Sequence, residues 1–132
     1  MDGLFSENWC AAFTRKWNNC HEITTELAAA NFNDIVALGY IDAPAPEIFI
    51  HVSHGRVTAV NTVNLETHDT VATWDLRAEP QQWLKWRGVG PGLTGLGIAV
   101  ANRQIVFIQG DYRKMIRQPL LAASFIKFFS FL

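Results

Sequence analysis

Gly90-Pro-Gly-Leu-Thr-Gly95 has the GxGxxG spacing with which backbone amides cradle a pyrophosphate. A dinucleotide site also needs a strand before the glycines, and here the Trp-rich segment Trp83-Leu-Lys-Trp86 precedes them. Proline fills the second position and no Lys-Ser/Thr pair follows to form a phosphate loop, so the segment reads as a flexible hinge or a close helix packing site. His51 and His54 are three apart, which on a strand sends them to opposite faces and away from a common metal. His68 and Asp69 are adjacent in a polar loop, where solvated turn residues are the commoner use of such a pair and proton transfer needs a pocket. Cys10 lies between Trp9 and Phe13 with no basic neighbour to lower its pKa, so it reads as buried packing. No paired carboxylates or acyl-transfer set can be assembled, and neither a catalytic residue, a metal nor a cofactor is expected.

Charge is distributed unevenly. Residues 1–79 carry four basic and eleven acidic side chains, a formal −7, whereas residues 80–132 carry seven basic and one acidic, a formal +6. Arg113, Lys114 and Arg117 fall within one short segment and suit either a solvated face or contact with a lipid headgroup or an anionic membrane surface. A pI near 6.4 lacks the basic excess of a nucleic-acid domain, so no nucleic-acid partner is expected. The basic part ends on an almost unbroken apolar run, residues 120–132, relieved by Ser124, Lys127 and Ser130. As a helix from Pro119 it is about 21 Å long, short of the roughly 30 Å hydrocarbon core of a bilayer. Leu121, Phe125, Phe128, Phe129 and Leu132 make one stripe of that helix, so it must be covered or must cover something.

The elements that position these residues follow from periodicity. Ser6 suits an N-cap, and Trp9, Phe13 and Trp17 repeat at helical spacing. A second helix from Ile23 is broken at Asn31-Phe-Asn-Asp34, and Ile35 to Ile41 reads as a strand. Glu47 to Ser53 and Arg56 to Val63 form a hairpin about Gly55. A third strand of that meander is expected at Thr70 to Arg77, with Ala72, Trp74 and Leu76 on one face. Pro80 opens a helix, Gln104 to Gln109 is a buried strand, and Asp111 caps a helix from Tyr112 to Gln118. These predict an α+β class in which helices pack on one face of a roughly five-stranded sheet. The 132 residues, 49% apolar and 17% charged, predict one globular domain spanning 1–132. The start of the chain has no basic region followed by an apolar one, so no secretory leader is expected, and Cys10 and Cys20 read as reduced thiols of a cytoplasmic protein.

The order of elements, with Trp9, Phe13 and Asn18, the hairpin Ile48-Phe-Ile-His-Val-Ser-His-Gly55-Arg-Val57, the strand Thr70-Val-Ala-Thr-Trp74 and the segment Ala99 to Asp111, resembles the sterol carrier protein type-two family. The resemblance covers most of the chain and rests on apolar positions and a few glycines. It departs at Asn102, where the family commonly has Gly before the last strand, and at Phe131-Leu132, which is not a peroxisomal tripeptide. Asn tolerates the left-handed geometry that Gly would supply. The resemblance implies a non-enzymatic carrier that binds a sterol, fatty acid or acyl-CoA in an apolar tunnel between the sheet and the later helices. Trp83, Trp86, Leu93, Leu96, Val100, Leu121, Phe125 and Phe129 are the lining it implies, core packing being the competing use of each; the terminal helix is the wall or gate. A dry cavity of about 300 Å³ would cost roughly 7 kcal/mol, so such a tunnel should shrink or fill. Two other readings suit the same residues: a small steroid-isomerase-like enzyme, or a domain whose apolar stripe makes a homodimer through Phe128 and Phe129.

Overall fold

The aromatic repeat becomes the first helix, α1 (Glu7–Asn18), with the Ser6 hydroxyl accepting from the Trp9 amide as its N-cap. Trp9, Phe13 and Trp17 are its buried face. α2 (His21–Ala29) follows and ends at Asn31, which turns the chain with φ 55°. The structure, a computed structural model, describes residues 3–64 and 70–132; the expected His68–Asp69 pair lies outside the described residues.

Three strands come next, β1 (Ile35–Tyr40), β2 (Ile48–Ser53) and β3 (Arg56–Thr62), paired antiparallel in sequence order. His54 and Gly55 join β2 to β3 with φ of 50° and 82°, the left-handed pair that a two-residue hairpin needs. Gly55 is also a contact requirement, since a Cβ there would sit 2.6 Å from the Ala28 nitrogen and the Thr24 oxygen of α2. The Trp17 indole N–H donates to the Gly55 carbonyl at 3.0 Å, locking α1 onto the same turn.

The expected third strand of the meander is corrected in place and extent. β4 runs Trp74–Ala78, and it lies parallel to β1 rather than beside β3, giving the sheet order β3-β2-β1-β4-β5 with β5 (Ile105–Gln109) antiparallel at the far edge. The physical reason is twofold. The outer edge of β3 is occupied by Asn18, whose side-chain amide donates to the Val57 carbonyl and accepts from the Val57 N–H, both at 2.9 Å. And β4 is buried on both faces, which suits a central strand: Trp74 and Leu76 face the helices, while Asp75 and Arg77 are 8% and 4% exposed on the other side.

The second half is helical around β5: α3 (Pro80–Trp86), α4 (Gly92–Ala101), α5 (Tyr112–Ile116) and α6 (Pro119–Phe128), closed by a 3₁₀ turn at Phe129–Phe131. The glycine-rich segment is helical from Gly92, and it packs closely: a Cβ on Gly97 would meet the Tyr112 hydroxyl, and one on Gly90 the Ile126 carbonyl. The left-handed residue before β5 is Arg103 (φ 59°), not Asn102 (φ −88°), because Asn102 is still the C-cap of α4. Asp111 caps α5 through the Arg113 and Lys114 amides. The stripe of the terminal helix is buried throughout, from Leu121 to Leu132. It is covered by the chain's own α1, α2 and α3, so it is not an outer face for a second copy. Ser124, expected as polar relief, is fully buried and donates to Glu26 of α2 at 3.4 Å.

Candidate functional site

Most of the residues expected to line an apolar site meet in the layer between the sheet and the later helices. α3 presents Trp83 and Trp86, and the 3₁₀ turn after α6 presents Phe129; ring centroids are 6.1 Å apart for Trp83–Trp86, 5.9 Å for Trp83–Phe129 and 5.2 Å for Trp86–Phe129. One turn earlier, Phe125 stands 4.8 Å from Trp74 and 6.0 Å from Phe32. Phe128 joins the two groups, 5.1 Å from Phe125 and 4.7 Å from Phe129, and stacks on Trp17 at 5.3 Å. Leu96 and Leu121 are buried in the same core and Val100 packs against it half-buried. Leu93 does not join them: it is 58% exposed on the outer side of α4.

The indole N–H groups of Trp83 and Trp74 find partners on and beside β1. The Trp83 indole donates to the Gly39 carbonyl at 2.9 Å and the Trp74 indole to Asp34 at 3.2 Å. Gly110 lies against the Trp74 ring so closely that any Cβ there would collide with it. Trp9 Nε1 is buried with no protein partner among the described residues. What remains among the described residues is an apolar, aromatic volume suited to holding hydrocarbon.

The volume is filled by these side chains. Three cavities among the described residues lie elsewhere: a cleft of about 600 Å³ between α1 and β3, lined by residues including Glu7, Cys10, Thr14 and Asn61, and two hollows near Ile41 and Glu79, of about 440 and 380 Å³. None of the eight expected lining residues borders them. α6 is the element that closes the layer, and its polar ties to α2 are the Ser124–Glu26 bond and an exposed Lys127–Glu22 pair at 3.6 Å.

Elsewhere the chemistry-bearing residues stay dispersed. Among the described residues no group of three His, Cys, Asp or Glu side chains is placed to hold a metal. Cys10 and Cys20 are free thiols; burial, and secondarily the nearby Glu7 carboxylate, pushes the Cys10 thiol up from its ordinary value. Tyr40 is pushed up by burial and then by Glu47. Arg113, Lys114 and Arg117 all project into solvent around the inward-pointing Met115.

Sequence reasoning placed Phe128 on the apolar stripe of α6 but not among the lining residues, and it missed Phe32 and Trp74, which come from elements far from α6 in the chain. It also missed the buried pair Asp75–Arg77, bonded at 2.6 and 3.0 Å, although opposite charges two apart on a strand are a readable signal. Arg77 further donates to the Ala43 carbonyl at 2.8 Å and so pins the β1–β2 connection over the sheet.

No protein-family model and no curated protein matches the sequence. Solved structures do match in shape. A crystal structure of sterol carrier protein 2 superposes with TM-score 0.70 at 19% identity, covering 97% of this chain and 98% of that one. The conserved hypothetical protein TT1886 of Thermus thermophilus, described as a candidate sterol carrier protein, gives 0.67 at 19% identity over 97% of this chain and 88% of its own. UbiJ-SCP2, described as a ubiquinone synthesis protein, gives 0.60 at 13% over 96% and 98%. A five-stranded mixed sheet in the order β3-β2-β1-β4-β5, roofed by these helices and matched almost end to end, gives this chain the sterol carrier protein 2-like fold.

Proposed function

We propose that the chain is one lipid-binding domain, residues 1–132, that takes an apolar ligand such as a sterol, a fatty acid or a fatty acyl-CoA between the sheet and the later helices, and carries or presents it without catalysing a reaction. The observation that carries this reading is the aromatic layer under α6, in which Trp83, Trp86, Phe125 and Phe129 meet with no titratable group among them. The layer lies within a fold shared with sterol carrier protein 2.

Because side chains fill the layer, the ligand enters by displacing α6. An acyl chain contributes about 0.8 kcal/mol per buried methylene, so a dozen methylenes contribute roughly 10 kcal/mol. Opening a 300 Å³ space would cost roughly 7. The tunnel is thus a property of the loaded state, with α6 as its movable wall. Free, partly or fully buried thiols at Cys10 and Cys20 suit a cytoplasmic setting. The steroid-isomerase-like alternative is disfavoured by the sheet order β3-β2-β1-β4-β5 and its roof of helices, shared with the sterol carrier protein 2 structure.

Native mass spectrometry and lipid extraction of the purified protein test the proposal, with fluorescent fatty acid and sterol titrations beside them. The likeness to UbiJ-SCP2 makes a prenyl quinone a useful further probe. A co-purifying lipid or a saturable titration is expected. Absence of both sinks the reading.

A further inference from the structure

From Asp111 to Leu120 the chain is a projecting corner: α5 is a single short helix, Gln118 is extended, and Pro119 restarts the chain as α6. Met115 alone points fully inward, with Tyr112 half-buried, while Arg113, Lys114, Ile116, Arg117 and Leu120 are exposed. Ile116 is 38% and Leu120 39% exposed, two branched apolar side chains set among three cations. Among the described residues none of the three cations forms an ion pair with an acidic side chain. The Asp111 carboxylate is engaged by the Arg113 and Lys114 amides, and the α2 acids Glu22 and Glu26 are engaged by Lys127 and Ser124.

We infer that this corner docks on an anionic phospholipid surface, Ile116 and Leu120 entering the headgroup boundary while Arg113, Lys114 and Arg117 lie against phosphate and carboxylate groups. The inference rests on the lipid-carrier reading for its purpose, since docking here brings the membrane to the start of α6, the wall the ligand must displace. It rests on charge complementarity for its partner. The whole chain has a formal charge of −1, so attraction by net charge is not available and only an orienting local patch can bind an anionic surface.

Vesicle flotation tests the docking, comparing phosphatidylcholine vesicles with ones containing about a third phosphatidylserine. Binding only to the anionic vesicles, falling as salt shortens the screening length, is expected. Each cation near such a surface is worth about a fivefold factor in partition, so Arg113→Glu/Lys114→Glu/Arg117→Glu should bind roughly a hundredfold less. Arg113 and Lys114 stand in the first turn of α5, where Glu suits the helix dipole, and Arg117 is its C-cap, so circular dichroism checks that the variant stays folded. Ile116→Ser/Leu120→Ser should weaken binding while keeping its salt dependence, and Arg56→Glu on the distant β2–β3 hairpin should leave binding unchanged. Equal binding to neutral vesicles, an unchanged triple variant, or an equal loss from Arg56→Glu overturns the docking. Fatty acid titration without vesicles separates the two readings: lipid binding with no flotation removes the docking alone, and flotation with no lipid binding removes the carrier reading alone.

Discussion

Phe125→Ala removes the ring at the centre of the apolar layer. Phe125 is 1% exposed and its ring is within 6.0 Å of Trp74, Phe128 and Phe32 by centroid distance. Truncating a buried Phe costs about 3–5 kcal/mol, and loss of three aromatic pairs, each worth about 0.5–1.5 beyond burial, places this site at the upper end, about 4–5. That approaches the whole stability of a marginal domain, so Phe125→Leu, expected to lose about 1–3, is the companion variant. Urea unfolding followed by Trp fluorescence reads both, with and without a long-chain fatty acid at about a hundredfold its Kd. The ligand should stabilise wild type by about 2.7 kcal/mol, and the truncated variant by more at the same ligand concentration, because the space is already open and no ring must be displaced. A loss below about 1.5 kcal/mol from Phe125→Ala would refute the packing. Equal stabilisation of both proteins would refute the placement of the ligand beside Phe125.

Three further outcomes test the frame around the layer. Arg77→Met leaves the Asp75 carboxylate buried without its partner and should cost about 3–5 kcal/mol in urea unfolding, most of it recovered in Asp75→Leu/Arg77→Met; an additive double variant contradicts this. Gly55→Ala forces a Cβ into the α2 backbone at a φ of 82° and should lose about 2–5 kcal/mol, measured as a fall in Tm; an unchanged Tm rejects the close approach. The Cys10 thiol holds its proton more tightly folded than unfolded, so the folded protein binds more protons and stability should fall as pH rises above the ordinary value of 9.0, a fall that Cys10→Ala should lessen while the raised Tyr40 keeps its own contribution above 10.0. A Cys10→Ala profile that declines with the same slope as wild type removes that assignment.

Local periodicity made most of the fold legible. The aromatic repeat Trp9, Phe13, Trp17 and the His54-Gly55 turn specified α1 and the β2–β3 hairpin from residues close in sequence, and the apolar stripe of α6 identified its buried face. The slot of β4 was not legible. Choosing between the edge of β3 and the side of β1 depends on Asn18, about forty residues from the hairpin it caps, whose amide takes the place a strand would fill. Nor could the sequence separate Leu93 from Leu96 and Val100. All three are apolar on one glycine-rich helix, and only the packing of Gly97 against Tyr112 and of Leu96 into the core fixes which side of α4 faces outward.

The packed interior and a carrier role are compatible because the ties that hold α6 differ in kind. Its hydrogen bond to Glu26 is long at 3.4 Å, and the Lys127–Glu22 pair is exposed, where such pairs are worth about 0–1 kcal/mol. The rest of the hold on α6 is aromatic and apolar, through Phe125, Phe128 and Phe129, while the turn after it is tied by Arg87 Nε to the Leu132 carbonyl and by the Gly88 amide to the Ser130 carbonyl, both at 2.8 Å, and by Lys16 Nζ to the Phe131 carbonyl at 3.2 Å. Apolar contact is non-directional, so hydrocarbon can replace a ring at little difference in free energy. A helix pinned by buried, directional hydrogen bonds would have to leave donors and acceptors unsatisfied to move. On the proposed reading, α6 exchanges its own rings for a ligand's methylenes about the hydrogen-bonded turn that follows it, and its position over the layer should then depend on what the layer contains.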